Sequence, residues 1–107
     1  MTSIRSILVL SLFVSNTSLH AQEGDRAAGL QVAREACASC HAVEPGQDLS
    51  PERQAPAFDE IARVPGMTTT ALTVALRTSH ETMPNIMLED RELRDVTTYI
   101  ASLRRRR

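Results

Sequence analysis

Cys37-Ala38-Ser39-Cys40-His41 is the stretch of this chain whose residue types and spacing carry the most chemistry. Cys37 and Cys40 stand three residues apart, so their thiols fall on neighbouring positions of one helical turn. Both can add to the vinyl groups along one edge of a porphyrin, and each addition leaves a thioether. His41 follows directly and is then placed over the ring face, where an imidazole nitrogen can bind iron. The pentapeptide therefore reads as a covalent haem attachment, with Cys37 and Cys40 as anchors and His41 as a metal ligand. Other chemistries compete for the same residues. A thioredoxin-like redox pair needs a strand before the motif and a βαβ setting, and no β-rich run precedes it. A zinc site needs four ligands, and there is no second cysteine pair to complete one. A disulfide between the two cysteines is compatible with export but leaves His41 without a role.

Iron held by His41 alone keeps a sixth position, for which His80, Met67, Met83 and Met87 are candidates. Met83 stands out because Pro84 follows it. Proline has no backbone donor and disfavours helix at the residue before it, so Met83 is held in an extended loop from which a side chain can reach inward. Met67 and Met87 read as filler, since a flexible thioether packs almost anywhere. His80 reads as a surface or loop residue, with bis-histidine ligation as the alternative. A histidine and a methionine together leave no open position on iron and raise its reduction potential, which suits one-electron exchange.

These residues have to be positioned by helices. Residues 25–38 are rich in Ala, Arg and Glu and read as a helix running into the motif, with Gly24 or Asp25 as its cap. Residues 43–56 turn to Pro, Gly, Ser and charge and read as loop. A short helical piece over 58–63 stops at Pro65-Gly66, and a second helix is expected over 68–79, with Thr68 as cap and Leu72 and Leu76 on one face. The loop 80–86 carries Met83. A last helix over 89–104 places Leu93, Val96, Ile100 and Leu103 on one buried stripe. The spacings predict one all-α domain without repeats.

The first 21 residues do not read as part of that domain. Met1 to Arg5 carries one positive charge, Ile7 to Val14 is almost wholly apolar, and polar residues lead to Ala21. That order is the order of a secretory signal, so residues 1–21 are expected to be cleaved near Ala21 and the domain to occupy residues 22–107 in the periplasm. The apolar run is about half of the roughly 20 residues that spanning a bilayer requires. Beyond it the aromatic residues are Phe58 and Tyr99, with no Trp, a composition that suits a small core built around a bulky apolar cofactor.

Every basic residue is arginine, and residues 104–107 are an arginine run. Between residues 22 and 103 seven arginines face thirteen carboxylates. Nucleic-acid binding needs a basic face, and this globule is acidic, so that class is excluded. The expected protein partner carries a basic docking patch. The run Arg104–Arg107 reads as a solvated end, and any membrane contact is expected through it alone.

Taken together the residues resemble class I cytochromes c over nearly all of the chain beyond residue 21. Gly29, eight residues before Cys37, matches the glycine at which that family's first helix crosses its last, against an aromatic that here is Tyr99. The stretch 95–103 is similar to the family's closing helix. Ala55-Pro56-Ala57-Phe58 resembles the segment whose proline carbonyl accepts a hydrogen bond from the haem histidine, and Met83-Pro84 resembles the distal ligand and its proline. Two positions depart from the pattern: Glu89 stands where a better helix cap is usual, so that helix is expected to start at Asp90, and Ala55 replaces a glycine. The resemblance implies a small cytochrome c fold of three to five helices around one covalently attached haem c. It implies bonding of Pro56 to His41 and ligation by Met83. It also implies electron transfer rather than catalysis, with redox proteins as partners, by a monomeric shuttle or a small oxidoreductase subunit. The rival is a haem sensor or gas-binding module with a displaceable sixth ligand. A peroxidase would need a distal His and Arg pair, and none is evident at readable spacing.

Overall fold

The computed structural model describes residues 23–80 and 82–105; the leader expected over 1–21 lies outside them. Four helices follow in order, α1 (Arg26–Ala36), α2 (Phe58–Arg63), α3 (Thr69–Arg77) and α4 (Asp90–Leu103), and no strand occurs among the described residues. The expected all-α domain is what forms.

Helices α1, α3 and α4 start where a side chain serves the free groups of the first turn, whereas Ala57 ahead of α2 makes no such bond. The Asp25 carboxylate accepts the backbone N–H groups of Ala27 and Ala28 at 2.8 and 3.1 Å, satisfying donors that a first turn leaves free. Thr68 does the same for α3 through Ala71, at 3.1 Å. Glu89 is the cap residue of α4, and its own N–H is taken by the Glu92 carboxylate at 2.9 Å. That reciprocal use of Glu92 offsets the poor cap, and the helix begins at Asp90 as expected. The first helix is shorter than its composition suggests. It stops at Ala36 because Ala38 N–H bonds back to Ala33 and the N–H groups of Cys40 and His41 both go to the Cys37 carbonyl, winding the attachment motif into tight turns.

The core forms where α1 crosses α4. A Cβ on Gly29 would sit 2.7 Å from the Cβ of Tyr99 and nearer still to the Asp95 carbonyl, so only glycine permits this approach. The entry to α1 is tied to the same helix: Gly24 N–H donates to Thr98 Oγ1 at 3.0 Å and Asp25 N–H to the buried Asp95 carboxylate at 2.8 Å. Leu93, Val96, Ile100 and Leu103 are all buried, as their spacing predicts, with Ala33, Cys37, Val43, Phe58, Ala62, Leu72 and Tyr99 around them. Phe58 and Tyr99 are the aromatic side chains in this core. Among the described residues no helix is long and apolar enough to cross a membrane.

Arg104, the first residue of the expected basic tail over Arg104–Arg107, is exposed but tied down. Its Nε donates to the carbonyl of Ala62 at 2.9 Å, and its Nη2 to those of Val64 and Met67 at 3.2 and 2.7 Å. The end of α2 and the turn after it present carbonyls that no helix satisfies, and the guanidinium fork fits them. Arg106 and Arg107 lie outside the described residues.

Candidate haem site

His41 is half-buried, and its Nδ1 lies 2.7 Å from the Pro56 carbonyl oxygen. A carbonyl can only accept, so Nδ1 carries the proton and the lone pair of Nε2 is left for a metal. This is the contact that the family resemblance implied for Pro56. The loop is held in place around it: Phe58 N–H donates to the Ala42 carbonyl at 2.9 Å, next to His41 in the chain. The Phe58 ring lies 5.5 Å from the imidazole, tilted by 49°, and 6.5 Å from the Tyr99 ring. The Tyr99 hydroxyl donates to the carbonyl of Val43, two residues beyond His41. The ring of His41 is thereby fixed from α2 and α4 at once.

Cys37 is buried and Cys40 half-buried, and the two form no disulfide with each other. Burial pushes the Cys37 thiol up to about 11, so it is neutral in this apolar setting. The donor set fits haem. Among the described residues no three His, Cys, Asp or Glu side chains converge to hold a metal ion. Cys37 and Cys40 would hold a haem by thioether links, and His41 would offer Nε2 to its iron.

The structure joins Cys37, Cys40, His41 and Pro56 in one assembly. Met83 belongs to a different arm, beyond α3, where it is half-buried in a stretch without regular structure. Met67 packs against the core, as filler does. The filler reading fails for Met87, which is 93% exposed because it lies in the irregular stretch before α4 and packs on no helix. His80 is exposed, as a surface or loop residue should be. Sequence reasoning missed two contributors. Phe58 was singled out only as part of the proline segment, and its contact with His41 depends on a loop reversal that no spacing reveals. Arg104 was hidden in a charge run, although its place one residue after Leu103 puts it at the end of the buried stripe of α4.

The Cytochrome c family model matches residues 26–104. Cytochrome c-552 of Bradyrhizobium diazoefficiens is 35% identical over 97 residues, which cover 91% of this chain and 92% of that protein. No solved structure gives a significant match. The chain belongs to the cytochrome c family: it is a c-type cytochrome with covalently attached haem c, and it works in electron transfer.

Proposed function

We propose, with that membership as premise, that the chain is exported to the periplasm and there passes single electrons between redox proteins, as a shuttle or a small oxidoreductase subunit. Once bound, haem would supply one-electron chemistry: Cys37 and Cys40 would hold it by thioethers, and His41 Nε2 and the Met83 sulfur would be the protein's donors to its iron. The Pro56 carbonyl orients the imidazole and raises its basicity, as hydrogen-bond partners of metal-bound histidines do.

The observation that carries this reading is the His41–Pro56 hydrogen bond at 2.7 Å. It fixes the tautomer and aim of the ligand within packed surroundings, so a change of charge at the iron meets little rearrangement. The leader over residues 1–21 supports export. The excess of carboxylates over arginines supports a partner with a basic patch, and exchange with it should slow as salt rises.

Carbon monoxide added to the reduced holoprotein tests the closed site. An unchanged spectrum is expected. Ready formation of a carbonmonoxy adduct would favour the sensor or gas-binding reading instead. Fractionation of cells expressing the full chain should place the haem-loaded form in the periplasm, and recovery from the cytoplasm alone would contradict export.

A further inference from the structure

The geometry points to Arg104 as a positioning residue for the sixth iron ligand, an inference that rests on the proposal that Met83 is that ligand. Its guanidinium binds Ala62 at the end of α2, Val64 in the turn and Met67 just before α3. It therefore sits at the fork between two arms. The arm of α2 leads back to Pro56 and His41, and the arm of α3 leads on to Met83.

The two arms depend on the fork unequally. α2 has its own anchors at the other end: Phe58 and Ala62 are buried, Phe58 N–H is bonded to Ala42, and Pro56 is bonded to His41. α3 is held less firmly: Leu72 is its buried residue, and Leu76 packs partly against the core. Its far end meets α4 through an exposed ion pair, Arg77 to Asp90 at 2.9 Å, of the kind that contributes little. Its first turn follows Pro65-Gly66, where Gly66 has φ +79°. The nine residues of α3 make a rod about 14 Å long, so a small pivot at its base moves its far end by much more. That far end feeds the Met83 loop. Three carbonyls held by one planar fork on α4 stop the pivot.

The test is the affinity of imidazole for the oxidised holoprotein, since imidazole competes with the sixth ligand. Arg104→Gln is expected to tighten imidazole binding about tenfold, as follows from losing two or three modest hydrogen bonds. Arg104→Lys, which keeps the charge but not the fork, should lie between the two and provides the readout if Arg104→Gln does not fold. In a Met83→Ala background, where imidazole finds the site open, Arg104→Gln should have no effect. Thr98→Val, which removes the bond from Gly24 and loosens the fold elsewhere, should leave imidazole affinity as it was. If Met83→Ala tightens imidazole but neither Arg104 variant does, the positioning role is wrong. An equal response in Thr98→Val would show mere loss of stability and overturn it as well. No response to Met83→Ala itself would remove the ligand assignment and this inference with it.

Discussion

The two sides of the candidate haem site are built differently. On the His41 side the imidazole is hydrogen-bonded to Pro56, lies beside Phe58, and is flanked by the backbone bond from Phe58 to Ala42 and by the bond from the Tyr99 hydroxyl to the Val43 carbonyl. On the Met83 side the side-chain hydrogen bonds among the described residues all lie between exposed groups: Ser79 to Asn85 at 3.1 Å, Thr78 Oγ1 to the Val74 carbonyl at 2.6 Å, and Arg77 of α3 to Asp90 of α4 at 2.9 Å. The first ligand is thus preformed by the polypeptide, whereas the second is held by Pro84, by the lie of α3 and, in the proposed site, by its bond to iron. Such a division places stiffness where the haem is anchored and leaves the adjustable ligand on the less stable arm.

Several substitutions would break or sharpen this contrast. The largest effect is expected from Cys37→Ala, which removes a buried anchor of the rigid side: at most one thioether remains and little holoprotein should accumulate, read by haem-stained gels and mass spectrometry. Normal maturation would refute the attachment assignment. Met83→Ala strikes the other side. It should leave covalent attachment intact while lowering the reduction potential by on the order of a hundred millivolts or more, because a sulfur ligand raises it. Met87→Ala should not move the potential, Met87 being 93% exposed.

Gly29→Ala probes the crossing that supports the rigid side. The added Cβ meets the Asp95 carbonyl and Tyr99, so α1 and α4 must separate, at a cost of about 1–3 kcal/mol in chemical denaturation. The smallest effect belongs to an exposed pair. Arg34 binds Glu44 through Nε at 2.6 Å and Nη2 at 3.1 Å, and this hydrogen bond holds the Glu44 carboxyl below its usual range. A depressed carboxylate contributes stability above its unfolded-state pKa, and the contribution is lost as pH falls through the lower folded value. Glu44→Gln should therefore be slightly less stable than the parent near neutral pH, with the gap closing in acid, as urea titrations at stepped pH would show.

How much of this was legible in the sequence follows from the range of each interaction. The attachment motif, the stripe of α4 and the caps at Asp25 and Thr68 are local patterns and could be read directly. Gly29 against Tyr99 and Pro56 against His41 are distant in the chain and were reached only through the family resemblance. The anchoring of Arg104 was missed because its partners are three carbonyls, which leave no trace in side-chain type. The end of α1 was misplaced because the alanine-rich pattern runs on to Ala38, while the backbone of the motif turns back on Ala33 and Cys37.

The most direct test of a closed site with His41 on one face and Met83 on the other is the near-infrared spectrum of the oxidised holoprotein, together with that of Met83→Ala. A weak sulfur-to-iron charge-transfer band should be present in the parent and absent from the variant. A haem-loaded parent without that band, or a Met83→Ala variant that keeps it, would contradict the assignment of Met83 and with it the closed electron-transfer site.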